Sequence, residues 1–397
     1  MKILWVKNDF LHPTDRGGQI RSLETLKRLH RNHEIHYVAY NDRLQPEGLT
    51  RAGEYSTRAY PVEQHVPKRG SPSFFAQLAG NLFSGLPLAV GRYCSAAMKA
   101  QIRTVLSENR FDSIVCDFLS VAPNIPDLSR AVLFQHNVET MIWRRHAEHA
   151  AGAFKRAYFD MQAERMFRTE RDACRKAAHV IAVSANDSAQ MRELFGVERI
   201  SAVATGVDVE YFRRPSDVGA PQHDLVFVGA MDWLANIDGA RFFVREVLPL
   251  IRAKRPGCSL VLAGRSPVAE LRGFAAEDPL ITVTGTVPDI RPYLWSGSVS
   301  IVPLRIGGGT RLKIFEAMAA GLPVVSTPVG AEGLDVEHGV NIRLNVDAVS
   351  FAESCLALLD DRDLAHSQAA AAFELVSTRF SWSKIAEDFE SILRRAA

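Results

Sequence analysis

The chain has 397 residues, of which 47% are hydrophobic and 23% are charged, and its formal net charge is +2. This composition excludes a disordered chain and a membrane-embedded one, and the length suits two α/β domains of roughly 150 to 200 residues each. The five cysteines are odd in number and form no CxxC pair, which argues against a disulfide framework or a zinc site and favours a reducing, cytoplasmic compartment.

Short β-branched segments alternate with longer helical patterns through the first half of the chain. This alternation is typical of βαβ units and a parallel sheet. A helix is predicted over residues 20–31, and residues 190–194 belong to another. Strands are predicted at 3–6, 34–40, 113–117, 132–135, 180–183 and 200–203.

An uncharged segment, residues 71–91, lies between two of these strands. Pro72 and Pro87 would interrupt a membrane span, so the segment is either a core-packing helix and loop or an interfacial contact with a membrane surface. The basic flanks Lys68, Arg69 and Arg92 are the feature that an interfacial contact would use. As a separate observation, residues 1–205 hold 28 Lys and Arg against 21 Asp and Glu. Such a basic half attracts anionic headgroups or an anionic acceptor, although a solvated basic surface is an equal explanation.

Residues 205–223 are rich in Gly, Pro, Asp and Ser and show neither the helical nor the strand periodicity of apolar residues. They are therefore predicted to link two domains. The alternation then restarts, and a helical pattern covers 365–394, with apolar residues over 382–393 spaced for one buried face. Strands are predicted at 225–228, 260–263, 281–284, 299–302 and 324–326. The loops that follow such strands bind ligands in a doubly wound sheet.

The most informative segment covers residues 303–330 and reads PLRIGGGTRLKIFEAMAAGLPVVSTPVG. Its glycines at 307–309 follow a strand and precede a helix, where backbone N–H groups and the helix dipole can meet a phosphate. Arg311 and Lys313 supply the countercharge that a diphosphate needs. Glu316 lies three residues after Lys313, on the same helical face, and is predicted to accept hydrogen bonds from a ribose.

These residues resemble the retaining glycosyltransferases of family 4, which have the GT-B fold. The resemblance extends over nearly the full chain. The segments that carry it are FEAMAAGLPVV at 315–325, FVGAM at 227–231, LAGR at 262–265, VTGTV at 283–287 and QHN at 135–137. It implies an α/β protein of two Rossmann-like domains facing across a cleft, with the C-terminal helix crossing back to the first. Residues 1–205 with 380–397 would then form the acceptor-side domain, and 206–379 the nucleotide-sugar-binding domain.

The resemblance also implies a transferase that moves a sugar from a nucleotide-diphosphate donor to a glycan or lipid-linked acceptor. Its setting would be cell-surface polysaccharide or glycolipid synthesis, in the cytoplasm or at the inner face of the membrane. Glu316 matches the glutamate that holds the donor ribose, and His136 matches the histidine that contacts the transferred sugar. Further donor-binding positions are Gly17, Gly18, Gly229, Gly264, Arg265, Val287, Gly308, Gly309 and Thr310.

The chain departs from the family pattern at two points. Members typically carry another glutamate eight positions before Glu316, where this chain has Gly308, so the backbone amides of Gly308 and Gly309 are expected to substitute for it. Members also place an Arg and a Lys in the loop at 229–237, which here has neither. The residues expected to replace those cations are Arg311, Lys313 and Arg265.

No cofactor, metal or nucleic acid is predicted. His146 and His149 have no carboxylate or cysteine set at metal-ligand spacing. The arginines between 144 and 175 alternate with Glu and Asp, so helical ion pairs explain them better than nucleic-acid binding. Two other functions stay open, namely a sugar-nucleotide epimerase or hydrolase on the same architecture and a non-catalytic protein that binds a sugar nucleotide.

Overall fold

The computed structural model describes residues 1–14, 17–42, 46–63, 71–148, 150, 152–306 and 312–396. The chain divides into two compact units. Unit 1 comprises Met1–Ala204 and Ile385–Ala397, and unit 2 comprises Thr205–Lys384.

Unit 1 is built on a parallel sheet. Its strands are β1 (Lys2–Val6), β2 (Glu34–Asn41), β3 (Arg58–Glu63), β4 (Ser113–Asp117), β5 (Ala131–Gln135), β6 (His179–Ala182) and β7 (Ile200–Ala202). They pair in the order β3-β2-β1-β4-β5-β6-β7. All residues of β4 and β5 are buried, as expected for strands with both faces covered. The edge strand β3 was not predicted, because it is largely exposed and Pro61 interrupts its pattern.

Unit 2 contains a second parallel sheet. Its strands are β8 (His223–Val228), β9 (Leu260–Ala263), β10 (Ile281–Val283), β11 (Gly297–Val302), β12 (Val324–Ser326) and β13 (Arg343–Leu344). They pair in the order β10-β9-β8-β11-β12-β13. The prediction missed only β13, which at two residues is too short to show a period. Each sheet therefore has the Rossmann-like order, in which the chain changes direction across the sheet between β1 and β4 or between β8 and β11.

Helices cover the sheets of both units. Before residue 205 they are α1 (Gly17–Leu29), α2 (Glu47–Thr50), α3 (Pro72–Asn81), α4 (Leu88–Gly91), α5 (Ala96–Glu108), α6 (Glu139–Glu148), α7 (Ala153–Lys176) and α8 (Ala185–Phe195). After it they are α9 (Val209–Phe212), α10 (Leu234–Phe242), α11 (Leu248–Lys254), α12 (Ala269–Glu277), α13 (Arg291–Trp295), α14 (Leu312–Ala319), α15 (Ala348–Asp360), α16 (Arg362–Arg379) and α17 (Trp382–Ala396). Among the described helices, none is long and apolar enough to cross a membrane.

The C-terminal helix α17 packs into the core of unit 1. Its fully buried Phe389 stacks on Trp5 of β1, with ring centroids 5.4 Å apart, and meets Phe134 of β5 edge-on at 5.0 Å. The apolar face predicted from the spacing of 382–393 is what allows this burial. The return of the last helix to the first Rossmann-like unit is therefore confirmed.

The segment predicted to be an irregular linker, residues 205–223, has more order than its composition suggested. It includes the short helix α9, whose Asp208 side chain caps the first turn. Val207 donates its backbone N–H to Phe380 and accepts one from Trp382, at 2.7 and 3.2 Å. The segment that leads into unit 2 is thus hydrogen-bonded to the one that leaves it.

Candidate functional site

A group of buried polar side chains lies at the switch point of the first sheet. Asp117 ends β4, and Lys7 follows β1 directly. The Lys7 ammonium lies 3.1 Å from Asp117 Oδ1, and both side chains are almost completely buried. Asp117 Oδ2 accepts hydrogen bonds from Trp5 Nε1 at 2.9 Å and from Ser22 Oγ at 2.6 Å. This carboxylate therefore ties β1, β4 and α1 together where a doubly wound sheet binds its ligand.

His136 belongs to the same group, because β5 ends one residue before it. Its Nε2 lies 2.7 Å from Asp117 Oδ1, and its Nδ1 lies 3.1 Å from Arg21 Nη1 of α1. The ring stacks on Phe118 with centroids 3.9 Å apart and planes 4° apart. His136 is only 6% exposed, so the predicted sugar-contacting histidine is held within unit 1 on several sides.

The electrostatics of the group follow from its burial. Burial, opposed by Asp117, lowers the pKa of His136 to about 3, and the cations Lys7 and Arg21 add to that effect. Burial also lowers the pKa of Arg21 to about 10. Although burial opposes its charge, Asp117 has a pKa below the usual range, because Lys7 and His136 favour the carboxylate. His136 is accordingly neutral at physiological pH.

Gly18 lies against this group and Gly17 does not. A side chain at Gly18 would place its Cβ 2.7 Å from Phe118 Cζ and 3.5 Å from His136 Nδ1, whereas a Cβ at Gly17 would meet nothing within 4 Å. The glycine at 18 is thus required by close packing at the start of α1. Gly17 begins the helix and carries no such constraint.

Glu170 of α7 fixes the loop that carries His136 by hydrogen bonds to residues on both sides of the histidine. This fully buried carboxylate accepts from Gln135 Nε2 at 3.0 Å, from the backbone N–H groups of Glu139 and Thr140, and from the Thr140 hydroxyl. It therefore satisfies two free N–H groups of the first turn of α6. Burial raises the pKa of Glu170 to about 7 against these bonds.

The switch point of unit 2 holds Gly229, Asn236 and Lys313. The Lys313 ammonium of α14 donates to Asn236 Oδ1 at 2.7 Å and lies 4.8 Å from the centre of the Phe227 ring. Asn236 is 1% exposed, and its Nδ2 donates to Ala230 O at 2.8 Å. A Cβ at Gly229 would lie 2.7 Å from Asn236 Nδ2 and 2.8 Å from Lys313 Nζ. The glycine thus leaves room for a lysine that comes from a distant helix.

Glu316 is half-buried on α14, one turn after Lys313. Burial raises its pKa, and the nearby Lys313 opposes that shift. The two residues therefore interact, as their spacing on the helix predicted.

The other predicted positions of unit 2 lie along the same edge of the sheet. Gly264 follows β9 and packs so closely on Gly229 that a Cβ would lie 1.7 Å from the Gly229 carbonyl oxygen. Arg265 has an exposed side chain, and its carbonyl accepts the Met231 N–H at 2.9 Å. Val287 is half-exposed beyond β10. The predicted residues that lie outside the described part of the chain are Gly308, Gly309, Thr310 and Arg311.

Sequence reasoning missed Lys7, Asp117, Arg21 and Asn236. A weak signal existed for Asp117 and Lys7, because a charged residue at the end of a short apolar strand is unusual in a buried sheet. Arg21 and Asn236 gave no such signal, since both lie in ordinary helical patterns. In the part of the chain that is described, no three His, Cys, Asp or Glu side chains are grouped as metal ligands.

The family model described as glycosyl transferases group 1 matches residues 222–361. Over 99% of both chains, the protein is 20% identical to a Klebsiella pneumoniae chain described as an uncharacterized 44.6 kDa protein in the cps region. It is 31% identical over 162 residues to a GDP-mannose-dependent α-(1-6)-phosphatidylinositol monomannoside mannosyltransferase of Mycobacterium tuberculosis. That match covers 37% of this chain and 42% of the relative.

Among solved structures, Anabaena Alr3699/HepE in complex with UDP superposes with a TM-score of 0.68. The superposition covers 100% of both chains at 15% sequence identity. At this identity the likeness shows the fold, which is that of two Rossmann-like units in one chain.

Proposed function

We propose a donor, a mechanism and a setting for this chain from the premise that it is a group 1 glycosyltransferase with the GT-B fold. The donor is a nucleoside diphosphate sugar, and the observation that carries this proposal is the hydrogen bond between the half-buried Lys313 and the buried Asn236, beside Gly229. An ammonium held at the switch point of a Rossmann-like sheet suits a diphosphate. Glu316, one turn further along α14, would accept the ribose hydroxyls.

The reaction we propose is transfer with retention of anomeric configuration, without a metal, as in the family 4 enzymes that the sequence resembles. Negative charge develops on the departing diphosphate, so Lys313 and Arg311 would supply the main catalytic stabilisation. A leaving phosphate oxygen would take the proton of the acceptor hydroxyl. No protein base is then required, which agrees with the low pKa of His136.

Nucleotide binding tests the donor site directly. Calorimetry with UDP, GDP and ADP in the presence of EDTA should show selective binding of one nucleotide, lost in Glu316→Ala and weakened in Lys313→Ala. Glu332→Ala is the matched control, because Glu332 is an exposed carboxylate of the same unit. UDP is the first choice, since the HepE neighbour was solved with it. Failure of the wild type to bind any of the three would refute the proposal.

Product analysis then tests the reaction. With the sugar nucleotide that binds, NMR of the product should show a glycoside of the same anomeric configuration as the donor. A free sugar or an epimerised nucleotide as the only product would instead assign a hydrolase or epimerase. Donor binding without turnover on any glycan or lipid-linked acceptor would assign a non-catalytic protein.

The acceptor we propose is a glycan or lipid-linked glycan of cell-surface polysaccharide or glycolipid synthesis, met at the inner face of the membrane. The relative from a cps region supports this setting. So does the apolar surface of residues 71–91, where Phe75, Leu82 and Phe83 are 58%, 50% and 94% exposed. Arg165 of α7 donates to the backbone carbonyls of Asn81 and Leu82, at 2.7 and 2.9 Å, so the end of α3 beside Leu82 and Phe83 is fixed.

Vesicle co-sedimentation tests the membrane contact. The wild type should bind anionic vesicles more strongly than neutral ones, and Phe75→Ser/Phe83→Ser should lose that binding. The control is Val346→Ser/Val349→Ser, which removes two exposed apolar side chains from unit 2. Equal sedimentation of wild type and Phe75→Ser/Phe83→Ser would exclude this surface as the contact.

A further inference from the structure

The protonation state of His136 can be assigned from its two neighbours. Nε2 lies 2.7 Å from Asp117 Oδ1, and Nδ1 lies 3.1 Å from Arg21 Nη1. An ionised carboxylate can only accept a hydrogen bond, and a guanidinium can only donate one. Nε2 must therefore carry the proton, and Nδ1 must be the acceptor.

We propose that Asp117 and Arg21 are positioning residues that hold His136 as a neutral imidazole protonated on Nε2. In the transfer reaction His136 is then a rigid side chain of the site that neither takes a proton from a substrate nor gives one. The part of this inference that concerns the reaction rests on the proposed function. The assignment of the tautomer does not.

The carboxylate that orients His136 is itself immobilised. Each oxygen of Asp117 has two partners, which are Lys7 and His136 on Oδ1 and Trp5 and Ser22 on Oδ2. These four partners come from β1, α1 and the end of β5. Because the carboxylate accepts three buried hydrogen bonds and is paired with Lys7, rotation about its side chain would break several buried contacts. The direction of the Nε2–H bond is therefore fixed.

The charges around the ring oppose protonation of Nδ1. Lys7 and Arg21 are cations, and Asp187 lies near the Arg21 guanidinium. Among the residues that the structure describes, Asp117 is the anion that contacts the ring. A second proton on His136 would point at the Arg21 guanidinium in a buried site. Burial and these two cations lower the pKa of His136 to about 3, in spite of Asp117.

Packing fixes the plane of the ring as well as its protons. Phe118 lies parallel to it at 3.9 Å. To do so Phe118 adopts a φ of 81°, a left-handed conformation that is an outlier for a bulky residue and persists only where the surroundings impose it. The Phe118 ring also leaves no space for a side chain at Gly18, because a Cβ there would lie 2.7 Å from Phe118 Cζ. The imidazole is thus held by both its hydrogen bonds and its stacking partner.

The test is ¹⁵N NMR of the full chain labelled on histidine, without substrate. His136 is assigned by the resonances that disappear in His136→Gln. The wild type should show one protonated pyrrole-type nitrogen, Nε2, and one bare pyridine-type nitrogen, Nδ1, unchanged between about pH 5.5 and pH 8, the range in which a free histidine titrates. An imidazolium, an averaged pair of tautomers or a titration in this range would overturn the proposal.

Two variants separate the roles of the partners. In Asp117→Asn, Arg21 still donates to Nδ1, but a neutral amide oxygen is a weaker acceptor for Nε2–H than a carboxylate, so the Nε2 resonance should shift toward that of a weakly bonded N–H group. In Arg21→Leu the Nδ1 resonance should move toward that of an unbonded pyridine-type nitrogen. An unchanged spectrum in either variant would show that the substituted residue does not position His136. Glu34→Gln is the control, since it neutralises the partner of His36, at 2.8 Å, and should leave His136 unaffected.

Addition of the donor nucleotide distinguishes this inference from the proposed function. If His136 keeps its bonds during the reaction, its Nδ1 and Nε2 resonances should keep their types in the donor complex. Loss of the Arg21–Nδ1 bond on donor binding would show that His136 is not rigid during the reaction, and it would leave the proposed transferase activity unaffected. Absence of any sugar transfer would refute the proposed function and leave the tautomer of the free protein as measured.

Discussion

Replacement of Gly229 by alanine should weaken donor binding without unfolding the protein. The backbone at Gly229 lies outside the left-handed region, so an alanine is tolerated by the chain itself. Its Cβ, however, would lie 2.7 Å from Asn236 Nδ2 and 2.8 Å from Lys313 Nζ. Asn236 is buried, so the flexible Lys313 side chain is the one that can move away, and the Lys313–Asn236 bond of 2.7 Å is the contact that must break.

The size of the effect follows from that one bond. A hydrogen bond to a charged group contributes about 1.5–3 kcal/mol. If the diphosphate needs Lys313 in its present position, loss of the bond should raise the Kd for the donor nucleotide about 10- to 150-fold. Conformational stability should change little, because the displaced ammonium can reach water.

Calorimetry with the donor nucleotide and a thermal unfolding curve measure the two quantities. Gly273→Ala is the matched control, because Gly273 lies within α12 of the same unit and a Cβ there meets nothing within 4 Å. It should leave the Kd unchanged and raise stability by roughly 0.5–1 kcal/mol. A Gly229→Ala variant that binds nucleotide as tightly as the wild type would show that the position of Lys313 does not matter for the donor.

Three further predictions concern unit 1. Burial raises the pKa of Glu170 from an ordinary value of 4.5 to about 7. Between these two values the folded state binds more protons than the unfolded state. The free energy of unfolding should therefore fall by up to about 3 kcal/mol as the pH rises through this range, and Glu170→Gln should remove the dependence. Phe389→Ala should cost about 3–5 kcal/mol of stability, since the ring is fully buried. Lys7→Met should cost roughly 3–5 kcal/mol, because it leaves the buried Asp117 carboxylate without its ion pair.

Denaturant unfolding of the full chain measures all three effects, and each variant has its own control. Glu164→Gln, at an exposed position of α7, should keep the wild-type pH dependence. Phe83→Ala removes a ring that is 94% exposed and should change stability by less than about 0.5 kcal/mol. Lys27→Met breaks a solvent-accessible pair with Glu54 and should cost no more than about 1 kcal/mol. A pH-independent wild type, or effects of Phe389→Ala and Lys7→Met no larger than those of their controls, would contradict the reasoning.

The alternation of strands and helices was predictable because it depends on local periodicity. The strands at 113–117, 260–263 and 324–326 begin and end where the pattern placed them. The apolar face of the last helix was equally visible in the spacing of its residues. Fold class follows from such patterns, since each unit of a parallel sheet repeats the same strand-and-helix sequence.

The glycine-rich segment at 303–330 also predicted which side chains would meet on one helix. Lys313 and Glu316 interact on α14 because residues three apart share a helical face. Gly229 belongs to the same group, and the resemblance assigned both residues to the donor site, but no local pattern in the sequence shows that they come into contact. That contact depends on the order β8-β11 in the sheet, which brings together segments more than 70 residues apart.

Tertiary structure alone decided the environment of His136. Its partners Asp117 and Arg21 lie 19 and 115 residues away along the chain, and neither belongs to a motif that contains it. Sequence could suggest that a histidine at a strand end meets a ligand. Only the packing of α1 and β4 around it shows that both ring nitrogens already have partners, because burial and hydrogen-bond geometry are set by residues that no local pattern connects.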